Sequence, residues 1–448
     1  MRHLPAVALV SVLLCGCARF GAVYPPRPSE SPAPPIADPP PSRIVVHVSV
    51  TDAALRATLD DAIPKDGDGD FAILGSLRHY TWTRQPLTVR FAQGRLVLGV
   101  HVDAHVSLPV RSIALPFDLE VAAEPVVNRD YALKLQSIDV KVSSSDRRMA
   151  VANAVGGVFD KFEKQVALQL ESFVKDLRPL VSEAYSRVLR PITFPVGEAS
   201  GCARVKVLGV EAGPTVVADG LEKDLAIIVA PSVTLPCSAG EPEAPLPPLE
   251  NVTTLPSGPF SVVVPVAASY AELTRAMTAT FTDGKLFFST DYPGLFLEKP
   301  ELYESQGFLV LALHLSGPVH AAGIDTDLDG EIFFSGHVSV TDDQVTIPDL
   351  EPTIETKNLL LSIKAATGEA KIRDQARAAL RLDLSDRLKQ VRAALADDLT
   401  FGSKDACFHG DVDKLEVTGA YAHGSYLRVY VSAVGRASAT MPCASPLR

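Results

Sequence analysis

Cysteine is the residue type in this chain whose spacing asks for a definite chemistry. Cys17 closes the run Leu14-Cys15-Gly16-Cys17, behind one early positive charge at Arg2 and an apolar stretch from Ala6 to Leu14. That layout is a bacterial lipoprotein signal, in which a Leu and a small residue precede a cysteine that is diacylated and becomes the mature N-terminus. The four later cysteines repeat a pattern. Cys202 and Cys237 are 35 residues apart, Cys407 and Cys443 are 36 apart, and Pro236 and Pro442 precede the second member of each pair. Four cysteines in an oxidising compartment allow three pairings, and the repeat selects Cys202 with Cys237 and Cys407 with Cys443. In the chain-entropy view each bridge stabilises its loop by roughly 3–4 kcal/mol.

Other constellations read as scaffold. Asp325-Thr326-Asp327-Leu328-Asp329-Gly330 copies the first half of a calcium loop, yet its twelfth position is Gly336 where a bidentate Glu is wanted. With strand-like flanks it is expected to be a charged hairpin turn. Asp66-Gly67-Asp68-Gly69-Asp70 is expected to be a solvated loop. His101, Asp103 and His105 share one face of a strand, but the outer two would lie about 13 Å apart, too far to share one metal. They are read as a polar outer face, with Val100, Val102, Ala104 and Val106 pointing inward. Trp82, the single tryptophan, is read as a structural plug. No Gly-x-Ser-x-Gly elbow, phosphate-binding glycine loop or His-Glu-x-x-His helix occurs. The chain is therefore read as a non-enzyme with no catalytic residue, metal site or cofactor.

Composition narrows the partners. Lys and Arg total 42 against 53 Asp and Glu, a net charge of -11, with the basic residues scattered. Nucleic acid is not an expected partner, and any lipid contact should rest on apolar burial and not on attraction to anionic surfaces. From Pro25 to Ser42 half of the residues are proline, a composition that favours an extended spacer. As a free tether, residues 18–42 would reach roughly 75 Å. No later apolar run approaches the roughly 18 residues needed to span a bilayer.

The remaining chain must supply elements that position something apolar. Strands of alternating apolar residues recur, among them Ile44-Val46-Val48-Val50, Leu96-Leu98-Val100-Val102 and Ile113-Leu115-Phe117-Leu119-Val121. Between Tyr131-Leu133-Leu135 and Ile138-Val140-Val142 the phase slips by one residue, as a bulge would make it do. Ser269-x-x-Glu272 forms a capping box ahead of a short helix. A long helix is expected over 151–189, with Val155, Phe159, Phe162, Val166, Leu170, Phe173, Leu177, Val181 and Val188 in one seam and a kink at Pro179. A second seam runs through Ile372, Ala376, Leu380, Leu384, Leu388, Val391, Leu395 and Leu399. The expected fold class is α+β: two tandem modules, each a long curved antiparallel sheet wrapped around one long amphipathic helix. The segments are a signal at 1–17, a tether at 18–42, a first module at 43–238, a linker at 239–257 and a second module at 258–448.

The opening Ile44-Val45-Val46-His47-Val48-Ser49-Val50, the stretch Trp82-Thr83-Arg84-Gln85-Pro86-Leu87 and the helix ending at Leu189-Arg190-Pro191 carry a resemblance. In pattern and order the chain resembles a bacterial lipoprotein family with tandem tubular lipid-binding modules, similar to bactericidal/permeability-increasing protein. That resemblance implies apolar ligand binding or lipid shuttling between envelope membranes, and it brings no catalytic residue. The expected lining of an elongated cavity is Val155, Phe159, Phe162, Val166, Leu170, Phe173, Leu380, Leu384, Leu388 and Val391. The expected partners are lipid or another apolar ligand, a membrane reached through acylated Cys17, and an envelope protein. Ala18 after the cysteine favours the outer membrane, facing the periplasm. The alternative is a structural or adaptor lipoprotein whose packed modules present an outer surface to another envelope protein.

Overall fold

The structure is a computed structural model describing residues 22–34, 36–73, 76–107, 112–148, 158–196, 199–217, 220–237, 244–256, 258–289, 292–321, 324–353, 356, 366–402, 406–441 and 443. Two long hairpins hold its middle, Ala199–Val217 with Gly220–Leu235 and Cys407–His423 with Tyr426–Met441. Between them lie two strands, Ser42–Thr51 and Phe260–Ser269, rich in the β-branched residues that suit a half-buried pleat. Each runs antiparallel to the hairpin of its own half: Ser42–Thr51 pairs with residues 220–229, and Phe260–Ser269 with residues 426–435. Each also runs parallel to the hairpin of the other half, residues 46–50 beside 437–441 and residues 266–268 beside 233–235. The two halves therefore share one nine-stranded sheet.

A second sheet serves each half. Seven strands between Asp66 and Asp176 form the first, and six form the second, the latter built mainly from Lys285–Ser289, Tyr292–Ser305, Phe308–Ala321 and Ile324–Gly336. The phase slip after Leu135 is a bulge. Glu124 faces Gln136 while Ala122 faces Asp139, so three steps on one strand match two on its partner, with Ser137 at a φ of 51°.

The described helices are α1 Asp52–Ala62, α2 Val158–Glu171, α3 Arg178–Leu189, α4 Tyr270–Thr278, α5 Ala366–Ala379 and α6 Ser385–Asp398. Thr51 and Ser269 each end the first strand of their half and cap the helix that follows. Their hydroxyls accept the N–H of Ala54 and of Glu272, both at 3.3 Å.

The expected α+β fold class is corrected here: the chain is mostly β, with several sheets, and no long amphipathic helix is wrapped by a sheet. In the first half the seam is interrupted by Val174–Asp176, which pairs with residues 132–134 as an edge strand. Asp176 then accepts the N–H of Arg178 at 2.9 Å, and Pro179 falls in the first turn of α3, where its missing N–H is not needed. The second half breaks in the same way. Leu382–Asp383 pairs with residues 344–345, and Asp383 accepts the N–H of Ser385 at 3.0 Å. The break lets one apolar run cover two sheets that face different ways: α2 lies on the seven-stranded sheet and α3 on the shared one.

Two expected loops are strands. Asp66–Ile73 pairs along Ser76–Arg84 at the edge of its sheet, and the Trp82 indole lies on Gly67, where a Cβ would sit 2.8 Å from the ring. Trp82 packs there against Val102, Ala104 and Phe117. Asp325–Gly330 lies within Ile324–Gly336, paired along Phe308–Ala321. The proline-rich segment is docked from Ala22 onward and is no free spacer there. Ala22–Val23 joins the edge of the six-stranded sheet, and the chain continues across that half to the ion pair of Asp38 with Arg428 before entering the shared sheet.

Candidate apolar ligand site

The site is built on α2, whose sheet-facing side carries one acidic residue among apolar ones. Glu163 accepts the N–H of Val142 at 2.8 Å and fixes the helix along the last long strand of the seven-stranded sheet. Phe159 packs on the cluster of Val102, Ala104 and Phe117. Val166, Ala167 and Leu170 pack on Leu96, Leu98, Val121 and Val140. At the far end α1 contributes Leu55, Leu59 and Ile63 to the same cluster.

α1 is locked by one cation. The Arg84 guanidinium, with a side chain only 3% exposed, donates to the Asp60 carboxylate and to the carbonyls of Asp60, Ile63, Pro64 and Gln85. The Asp60 and Ile63 carbonyls are among those that a helix C-terminus leaves without an internal partner. Arg84, with the Leu87 N–H, holds the Asp60 carboxyl below the usual carboxylate range. Arg84 belongs to the Trp82–Leu87 stretch singled out in sequence, and its role here is to close one end of the apolar layer.

Beyond the break, α3 turns Leu177, Val181, Tyr185 and Leu189 onto Val207, Val210, Ala212 and Val229 of the shared sheet. Among the described residues the clusters under α2 and under α3 stay separate, and Val166, Leu170 and Phe173 are only half-buried. Leu168 and Val174, beside the break, are 66% and 53% exposed. The first half therefore leaves an incompletely covered apolar seam between its two sheets.

The second half has a continuous core, although its seam residues Leu380, Leu384 and Leu388 are also half-buried and Leu382, in the break, is 42% exposed. One buried cluster runs from Leu295, Leu297, Leu315 and Ile332 of the six-stranded sheet to Val417, Ala420 and Val429 of the shared sheet. Leu380, Leu384 and Leu388 pack against it, while Val391 is 48% exposed on α6. Val155 and the side chain of Phe162 lie outside the described residues, as does Cys17. The sheet-side residues Leu96, Leu98, Val121 and Val140 were legible as an inward face, but nothing in their alternation assigned them to α2.

Both disulfides, Cys202–Cys237 and Cys407–Cys443, are present, with Cα separations of 5.0 and 4.8 Å. Each ties the open end of its hairpin, where Cys202 faces Thr234 and Cys407 faces Thr440. Among the described residues no three His, Cys, Asp or Glu side chains converge as metal ligands do. No described helix is long and apolar enough to cross a membrane.

No curated protein sequence matches the chain. Among solved structures, one titled the crystal structure of lipopolysaccharide binding protein overlays 91% of this chain and 100% of its own, at 13% identity and a TM-score of 0.31. An overlay at that score carries no argument about fold or function. The family comparison is of another order: a model described as "Domain of unknown function (DUF4403)" matches residues 40–441, nearly the whole interlocked body, and the chain belongs to the DUF4403 family.

Proposed function

We propose that this protein is a non-enzymatic envelope lipoprotein, anchored through acylated Cys17, that takes lipid or another apolar ligand into the first half, along the seam that α2 and α3 form over its two sheets. The observation that carries this reading is the unequal continuity of the two cores. The seam is half-buried in both halves, but among the described residues Val166 and Leu170 pack on one cluster and Leu177 on another, whereas Leu380, Leu384 and Leu388 pack on a single continuous one. A seam of half-buried apolar side chains in water is unfavourable by about 25 cal/mol per Å² left exposed, and an acyl chain laid along it would recover that free energy. Passage of the ligand between membranes extends the reading.

Ala167 is the place to test it, because it is half-buried in the seam and a larger side chain there competes with a ligand for the same space. Ala167→Trp should abolish binding of a fluorescent phospholipid while leaving the melting temperature within a few degrees. Loss of folding together with loss of binding would mean that the seam was already full. The adaptor reading is supported by the continuous core of the second half. One stoichiometric protein partner captured with no co-purified lipid would favour it.

A further inference from the structure

The proline-rich segment grips the second half. Val23 pairs beside Gly330 at the edge of the six-stranded sheet. Four residues later Arg27 donates two hydrogen bonds of 2.7 Å to the Glu301 carboxylate and lies 4.3 Å over the Tyr303 ring, two strands further in. The segment therefore crosses the outer face of Phe308–Ala321. That face carries its own buried apolar cluster of Tyr303, Val310, Ala312 and Phe333, separate from the main core on the opposite face. Pro25 is itself buried. Beyond Arg27 the Ser31 carbonyl accepts the N–H of Gln306 at 2.6 Å. Glu304, 3% exposed, accepts the N–H of Ala33 at 2.6 Å and those of Gly307 and Gly424. A buried carboxylate held by backbone donors, a bidentate arginine pair and a cation over an aromatic ring are the interactions that make docking specific.

We propose that the second half is the membrane-proximal one, with the sheet edge formed by Ala22–Val23 and Asp329 facing the bilayer that holds Cys17. This rests on the acylation of Cys17 in the reading above. Only five residue steps separate Cys17 from Ala22, so the anchor lies within about 18 Å of that edge, and not at the roughly 75 Å that an undocked segment would permit. Asp327 and Asp329 are exposed on the same strand. They repel anionic headgroups, so the edge is held against the membrane by its covalent leash and does not insert into it. The seam under α2 lies on the other outer sheet, with which Ala22–Val23 does not pair.

The test uses the full acylated chain on phosphatidylcholine vesicles that carry a headgroup acceptor dye. A fluorescent non-canonical residue replaces Asp327 in one sample and Asp68, on the edge strand of the seven-stranded sheet, in another. Transfer from position 327 should be several-fold more efficient than from position 68. Arg27→Glu should lower it, and Arg27→Glu with Glu301→Arg should restore it. Equal transfer from both positions on a chain whose Cys17 is shown by palmitate labelling to be acylated would overturn the orientation alone. An unacylated Cys17 would overturn the anchoring reading as well. Fast hydrogen exchange at the Gln306 and Ala33 amides would overturn the docking of the segment itself.

Discussion

The two halves solve the same problem with the same parts and differ in how continuous a core they build among the described residues. In each, a capped short helix follows the first strand, an outer sheet follows that, and a helix pair broken by a short edge strand returns to a disulfide-tied hairpin. In the second half the core under α5 and α6 is continuous from the outer sheet to the shared one, with Leu297 fully buried. In the first half the described apolar side chains are divided among separate clusters, while the helix seams themselves are half-buried in both halves. A shared architecture with one continuous and one divided core is the difference on which the proposed division of labour rests.

Truncation should separate the halves most sharply. Leu297→Ala removes a fully buried side chain from a core with no slack and should cost about 4 kcal/mol, read by denaturant unfolding. Equal tolerance of that change and of a seam truncation would break the comparison. Arg84→Ala should cost about 3 kcal/mol, because it strips the C-terminus of α1 of its donors and leaves Asp60 without its cation. It should also raise the exchange rate of the α1 amides without touching those of α4.

Val166→Ala should cost only about 1 kcal/mol and yet weaken phospholipid-probe binding several-fold, a split that a merely structural residue would not give. Asp60 adds a pH signature. Its folded-state pKa is lowered, so its contribution is fully present above the ordinary carboxylate range of about 4 and is lost as pH falls through the lowered value. Asp60→Asn should therefore be less stable than the parent at pH 7, and the two should converge as the solution is acidified. The smallest effect concerns the docked N-terminal segment. Arg27 holds the Glu301 carboxyl below its usual range, so protection of the Ala33 amide should persist above about pH 4.5 and fade as pH falls below it.

What the sequence revealed and what it hid divide along physical lines. The cysteine pairs, the inward face of Val102, Ala104 and Val106, the bulge after Leu135 and the Ser269 cap were legible because each is a local signal with a fixed period or a fixed offset. The broken helix was not. The spacing Leu170, Phe173, Leu177, Val181 runs unbroken through Val174–Asp176, since one apolar stripe can feed two helices set at an angle. The stop signal lay in the polar residues instead: Asp176 and Asp383 each sit two residues before the first helical residue that they cap. The shared sheet was hidden because alternation says which face is buried and nothing about which strand lies alongside. The docked segment was hidden because proline content predicts an extended backbone, while the Arg27–Glu301 contact that holds it joins residues 274 apart.

Native mass spectrometry of the chain purified from a bacterial envelope without detergent decides whether the first half holds an apolar ligand. The expected species is heavier than the chain by one phospholipid or other amphiphile, released by organic extraction and absent from Ala167→Trp. A native mass equal to the protein alone, with nothing in the extract, would contradict it.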